Sequence, residues 1–292
     1  MELQSYTPRV FWSLPDPLYD RPIMGAVVGE RGTLIVEGGA SPAHTAEFLA
    51  ALGAWVDLGA HPARFAALTH WHWDHVFGLG ALNLPTLAHR ETHRRIAGMA
   101  RLDWRDAALD RRVAAGEETP FISTHLKLEM TNEERGRLVI ALPDLIFDDR
   151  VEVDLGGITC QVIHVGGDHS PDSTVIFIPE ERIVFLGDCL YSGFCPDGFT
   201  YTESRLFPLL DTLTALDAEI YLLAHLPTPF SRAEFAAEAS LLKRLSAAAA
   251  EAGGDRQAAL DHLTAQGVLL DEDRLSDLDA FILGRRANLR TD

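Results

Sequence analysis

Cysteine is scarce in this chain: 3 residues in 292, Cys160, Cys189 and Cys195, with no CxxC spacing. That is too few for a disulfide framework, and a reducing, cytoplasmic setting is the expectation. Basic side chains are also few. The 25 Lys and Arg stand against 43 Asp and Glu, a formal charge of −18, which argues against nucleic acid as a partner. No apolar run approaches the length of a membrane span, so no membrane partner is expected. The opening Met1-Glu2-Leu3-Gln4-Ser5-Tyr6-Thr7-Pro8 has neither a basic nor an apolar signal region, and no secretory leader is expected. Internal repeats and low-complexity linkers are missing as well. What is present is the composition of an ordinary globular chain, 47% hydrophobic and 23% charged, able to bury one large core or two smaller ones.

Short strand-like runs open the chain at Arg9–Trp12, Gly25–Val28 and Thr33–Glu37, closed by Gly38-Gly39. Ser41-Pro42 reads as the cap and first turn of a helix reaching about Leu52. A strand from Phe65 and another over Leu84–Ala88 continue a βα pattern. Residues 91–134 turn charged and helical, which reads as an insertion. Strand signals return at Arg150–Leu155, Ile158–Val165, Ser173–Ile178, Arg182–Leu186 and Ile220–Ala224. From Ser231 onward, Ala, Leu, Glu and Arg at helical spacing predict a C-terminal helical extension over 231–292 packed on a domain of residues 1–230.

The strongest signal is His70-Trp71-His72-Trp73-Asp74-His75, four metal-ligand types within six residues after an apolar strand. Imidazoles and a carboxylate crowded together lose solvation and repel when protonated, and a cation relieves both costs. In extended chain, His70 and His72 face one side and serve one ion, while a turn at Asp74-His75 offers ligands to a second. A histidine-rich surface loop is the plain alternative. His169, in the glycine turn Gly166-Gly167-Asp168-His169-Ser170-Pro171, together with Asp188 and His225 at strand ends, extends the set to seven. Trp71 and Trp73 alternate with the histidines and are expected to pack away from the ligands. His164 is expected to pack or hydrogen-bond behind His169, and His44, His61, His89, His93, His125 and His262 to be surface or turn residues.

The ordered set His70-x-His72-x-Asp74-His75, Gly167-Asp168-His169-Ser170-Pro171, Leu186-Gly187-Asp188 and His225 resembles the metallo-β-lactamase superfamily over residues 8–230, in its hydrolase, glyoxalase II-like or lactonase-like branches. The resemblance implies an α/β fold, a four-layer αβ/βα sandwich with the site on one edge. It also implies two ions: His70, His72 and His169 on the first, Asp74, His75 and His225 on the second, and Asp188 bridging. Zinc is the default, with iron and manganese as alternatives. The chain departs from the family where Glu37 replaces a frequent Asp and where Leu223-Ala224-His225-Leu226-Pro227 replaces Pro-Gly-His-Gly. Cys189 adjoins Asp188, so a one-residue shift would make it the ligand; Gly-Asp at a strand end is the hydrolase form and favours Asp188. The lysine that many lactamases place after this point is missing, which argues against lactamase activity.

The expected activity is dinuclear zinc-dependent hydrolysis of an ester-like bond in a small acyl substrate such as a thioester or lactone. A water shared by the ions is the nucleophile, and Asp74 handles its proton. The alternatives are a mononuclear iron, persulfide-dioxygenase-like oxidoreductase, and a true β-lactamase or phosphodiesterase. Tyr191, Trp104, Phe121, Arg101 and Arg105 are candidates for substrate contact, each with core packing or a solvated helix face as its plainer role. The helical tail would cap the site, pack on the sandwich or pair two subunits as a homodimer.

Overall fold

The protein is described by a computed structural model covering residues 1–195 and 197–288. Its first half runs β1 (Leu3–Thr7), β2 (Val10–Ser13), β3 (Gly25–Gly29), β4 (Gly32–Val36), α1 (Pro42–Gly53), β5 (Ala63–Ala67), α2 (Trp73–Val76), α3 (Leu79–Leu82) and β6 (Thr86–His89). Then come α4 (Arg90–Met99), α5 (Asp106–Ala115), α6 (Pro120–Glu129), α7 (Asn132–Arg137) and β7 (Leu145–Phe147). These strands form one sheet in the order β1-β2-β3-β4-β5-β6-β7, antiparallel up to β4 and parallel beyond.

The second half runs β8 (Arg150–Asp154), β9 (Thr159–His164), β10 (Thr174–Ile178), β11 (Ile183–Gly187), β12 (Gly193–Cys195), β13 (Gly198–Thr200), α8 (Glu203–Ala215), β14 (Ile220–Leu223) and β15 (Phe230–Ser231). Helices α9 (Arg232–Glu251), α10 (Arg256–Ala265) and α11 (Glu272–Asn288) complete it. A second sheet has the order β15-β14-β11-β10-β9-β8, with β11 and β14 its parallel pair. The end of the tail expected from sequence, residues 289–292, lies outside the described residues.

Strand periodicity explains the layering. In β4, Leu34 and Val36 face the other sheet while Ile35 faces helices; in β11, Ile183 and Phe185 face inward while Val184 and Leu186 face outward. Both faces of these strands are covered, so they read as unbroken apolar runs. The inter-sheet core packs Trp12, Leu34 and Val36 against Val162, Ile176 and Phe185. Outside the first sheet lie Phe48 and Leu52 of α1 with Ile96, Leu109 and Leu126 of the α4–α6 segment. Outside the second lie Leu206 and Leu213 of α8 with Phe235, Leu242, Leu263 and Phe281 of the last three helices. The result is the helix, sheet, sheet, helix order of an α/β sandwich.

Strands β1 and β7, the hairpin β12–β13 and helix α8 are elements that the sequence reading did not delineate. Helix α8 carries Pro208 in its interior, which reads as a breaker. Its Leu206, Leu209, Leu210 and Leu213 nonetheless form one buried face. No helix among the described residues is long and apolar enough to cross a membrane.

Candidate metal centre

The parallel strands deliver their C-terminal ends to one edge, and the ligand types sit there. His70 and His72 follow β5 in extended backbone, with His72 at φ −62° and ψ 150° as the N-cap of the short α2, which carries Asp74 and His75. His169 lies in the β9–β10 connection, Asp188 directly after β11, and His225 two residues after β14. Gly187 precedes Asp188 at φ +54°, and a Cβ there would collide with Thr69. Glycine is therefore what lets the end of β11 lie against the residue before His70.

The seven side chains converge as two groups sharing one member. His70, His72, His169 and Asp188 form the first and Asp74, His75, Asp188 and His225 the second, each with ligand atoms within 4.8 Å of one another. Asp188 Oδ2 stands 3.6 Å from His70 Nε2, 3.4 Å from His75 Nε2, 3.3 Å from His169 Nε2 and 3.5 Å from His225 Nε2. Asp74 Oδ2 stands 3.1 Å from His75 Nε2 and 3.2 Å from His225 Nε2. His72 turns Nδ1 toward His169 Nε2 at 2.9 Å. Cys189 is buried in the outer core of the second sheet and belongs to neither group.

Burial and mutual charge set the protonation of the cluster. Burial, then the charge of His75, holds His70 well below the ordinary imidazole range. Burial, then His169, brings His72 down to about 3. Burial also opposes charge on His75 and His225, but carboxylates outweigh it: Asp74, Glu37 and Asp188 push His75 well up, and Asp188 and Asp74 raise His225 to about 10. Asp74 and Asp188 resist the effect of burial because those same histidines face them, and both are held below the usual carboxylate range.

The donor set fits divalent metal ions. Buried His70 Nε2, His75 Nδ1 and Nε2, and Asp188 Oδ1 have no hydrogen-bond partner, a costly condition for buried polar atoms that metal coordination relieves for those facing the cluster. Imidazole nitrogens with carboxylate oxygens suit zinc and its first-row neighbours.

Glu37 supports the ligands from behind. It is 2% exposed and adopts a left-handed φ of +72°. Its Oε1 accepts from the Thr69 hydroxyl and lies 3.1 Å from His75 Nδ1, while Thr69 Oγ1 lies 3.1 Å from His70 Nδ1. One carboxylate thus backs the Nδ1 side of two histidines, His70 through the Thr69 hydroxyl and His75 by a charge contact without hydrogen-bond geometry, and leaves Nε2 of each for the cluster. The signal in the sequence was a carboxylate at a strand end before Gly38-Gly39, legible there only as a departure from the family. Asp20 gave no signal: it sits in a loop at φ +56° with Oδ1 3.8 Å from His225 Nδ1. Burial, then the Asp74 charge, raises its pKa to about 7.

Among the substrate-contact candidates, only Tyr191 joins the cluster, its ring 6.0 Å from His169 and 6.3 Å from His225. Trp104 takes its plainer role. It is 5% exposed, donates its indole N–H to Met99 O at 3.1 Å and packs edge-on to Phe77, as a core tryptophan does. Arg105 likewise takes its plainer role: it lies on the surface, in a 2.7 Å ion pair with Asp103. Arg101 and Phe121 are exposed. His44, expected to be a surface or turn residue, lies within α1, is 1% exposed and accepts the Ala40 N–H at Nδ1. His164 bonds through Nε2 to Pro171 O at 2.8 Å and stacks on His89. Trp73 is in the core, and Trp71 lies partly buried beside His72.

Comparison with known proteins agrees with this architecture. The family model described as Metallo-beta-lactamase superfamily matches residues 24–225. The chain belongs to that superfamily. Among curated proteins, the 2,4-dinitroanisole O-demethylase subunit alpha of Nocardioides sp. (strain JS1661) is 26% identical over 249 residues, covering 82% of this chain and 62% of that protein. This metallo-beta-lactamase superfamily chain thus spans about three fifths of that relative's length. A metallo-beta-lactamase family protein from Thermus thermophilus superposes with a TM-score of 0.59 at 19% identity, covering 98% of this chain and 95% of its own. The stereoselective inverting sec-alkylsulfatase Pisa1 from Pseudomonas sp. superposes with a TM-score of 0.63 at 14% identity, covering 98% of this chain and 51% of its own. At such identities these two structures speak to the fold alone.

Proposed function

We propose that this chain is a dinuclear metal-dependent hydrolase, with zinc as the default ion, acting on an ester-like bond of a small acyl substrate such as a thioester or lactone. The observation that carries the reading is the position of Asp188: a single buried carboxylate oxygen within 3.6 Å of four histidines divided between two ligand groups. His70, His72 and His169 would hold one ion, Asp74, His75 and His225 the other, and Asp188 both. Divalent ions bound there supply Lewis acidity and bring the pKa of water down to near neutral.

The chain's own groups do the rest. Asp74 is held ionised by His75 and His225 against the effect of burial, so its carboxylate would accept the proton of the attacking water and return it to the leaving group. Glu37 fixes the imidazoles that surround the reaction. Tyr191, beside His169 and His225, forms a wall for the acyl group. The Nocardioides relative favours a second reading, in which the same nucleophile cleaves an activated ether, since that protein is named an O-demethylase subunit.

The test is elemental analysis of the purified chain alongside thioester, lactone, nitrocefin, phosphodiester and activated aryl methyl ether substrates. About two zinc ions per chain with turnover of a thioester or lactone is the expected result. Turnover confined to the ether moves the assignment to O-demethylation, and confined to nitrocefin or the phosphodiester it moves to lactamase or phosphodiesterase activity. About one iron per chain with thiol-dependent oxygen uptake overturns the hydrolase and supports a dioxygenase.

A further inference from the structure

The first ligand group is tied together from outside by a chain of hydrogen bonds that touches none of the ligands. Trp71, between His70 and His72, donates its indole N–H to Ser170 Oγ at 2.9 Å. Ser170, the residue after His169, donates in turn to Asp172 Oδ1. Asp172 accepts a second hydroxyl, Thr92 Oγ1 of α4, on Oδ2 at 2.6 Å. Thr92 and Asp172 are 0% exposed and Ser170 1%. A buried carboxylate carries a desolvation cost that two hydroxyl donors reduce, and a core of apolar groups would avoid it altogether. Its effect is directional: with the Ser170 proton committed to Asp172, the Ser170 lone pairs are left to accept from Trp71.

We infer that this chain of bonds is a clamp setting the separation of His72 and His169, with Asp172, Ser170 and Trp71 as positioning residues for the first metal ion. The inference rests on the dinuclear reading above. Its geometry is selective. All three histidines of the first group adjoin a clamp residue in sequence, whereas His225 lies on another strand end and His75 is held by Glu37. His72 Nδ1 and His169 Nε2 lie 2.9 Å apart, a hydrogen-bond distance when one of them carries its ring proton, whereas an ion held by both needs both nitrogens bare and turned toward it. A bond joining their neighbours Trp71 and Ser170 fixes the spacing of the two backbone segments that carry these rings. Arg95, on the same helix as Thr92, covers the Trp71 ring at 5.1 Å and adds to the restraint.

The test uses full-length protein and zinc, with affinity read by competition against a chromophoric chelator. A His225→Ala background reports the first site and a His72→Ala background the second. Trp71→Phe, which keeps an aromatic ring and loses the N–H, and Ser170→Ala should each weaken the first site about 10- to 100-fold. The double variant should be no weaker than Ser170→Ala alone, because that substitution already removes the bond from Trp71. Second-site affinity should stay within about twofold, and Ser170→Thr should restore the first site, which a merely misfolded variant would not do. Equal losses at both sites, additive losses, or no loss would overturn the clamp while leaving the hydrolase reading standing. Failure of the unsubstituted chain to take up zinc would overturn both.

Discussion

At the scale of single residues, the proposed function divides the centre into groups that would bind an ion and groups that would hold the ligands. Asp74 belongs to the first kind: it is 4% exposed, with Oδ2 against His75 and His225. Asp74→Ala in protein reloaded with metal is expected to lower kcat by about 10²- to 10⁴-fold on whichever substrate is turned over. Steady-state kinetics at matched metal content check this, and near-normal turnover would remove Asp74 from proton transfer. Glu37 belongs to the second kind, and it was legible only in part. A carboxylate before two glycines is visible in the sequence, but its reach to Thr69 and His75 depends on strand pairing, which residue spacing alone does not encode.

His44 makes a separate residue-scale prediction. Burial, then the neighbouring Arg21, brings its pKa down to about 3 from an ordinary 6.5. Between those values the unfolded chain binds a proton at His44 and the folded chain does not, so stability rises with pH across that window and falls as pH drops below about 6.5. His44→Asn keeps an acceptor for the Ala40 N–H and removes the titration. Between pH 7 and pH 5 the metal-free variant should lose about 2 kcal/mol less stability than the metal-free parent. Urea unfolding at the two pH values measures it, and equal losses would show that His44 is not buried and neutral.

At the scale of elements, the sequence located most strands that bear on the chemistry and left out those that close the edges. β5, β11 and β14 are apolar runs ending in a ligand type, a pattern that core packing alone does not produce. β7 has three residues, two of them exposed, and leaves almost no periodicity to read. α8 was hidden by Pro208. The register between elements was not legible at all, and Gly187 shows why it matters. At φ +54° and pressed on Thr69, Gly187→Ala should lose about 1–3 kcal/mol of stability and displace Asp188 from the cluster. Thermal unfolding and zinc titration of that variant test both effects, and an unchanged zinc affinity would show that the end of β11 tolerates a side chain.

At the scale of the whole molecule, the two sheets contribute unequally and jointly to one centre. His70, His72, Asp74 and His75 come from the first sheet's side, and His169, Asp188 and His225 from the second. Ions bound across that seam would hold the halves together, so chelation should loosen the entire sandwich rather than one loop. Removing metal is expected to lower the thermal midpoint by roughly 5–10 °C, reversed by zinc added at about 100 times its dissociation constant. Differential scanning calorimetry with and without chelator reads this shift. An unchanged midpoint would mean that the folded chain gains nothing from occupancy. The family assignment, the sandwich and the convergence of the seven ligand types were all legible from ordered motifs. The surroundings of Trp104, Arg105 and His44 were not, because burial is decided by helices whose packing partners lie far along the chain.

The scattering of these ligands along the chain has a kinetic consequence. The hexapeptide from His70 to His75 emerges from the ribosome long before His225, and the parallel pairing of β11 with β14 must close over an intervening hairpin and helix. Non-local pairings of this kind form late in folding. During synthesis the chain can offer passing ions only a loose, incomplete ligand set, whose preferences follow intrinsic affinity order. The complete centre exists only after both sheets have docked, so the choice of ion falls to the finished geometry, and a wrongly captured ion has the folding time in which to leave.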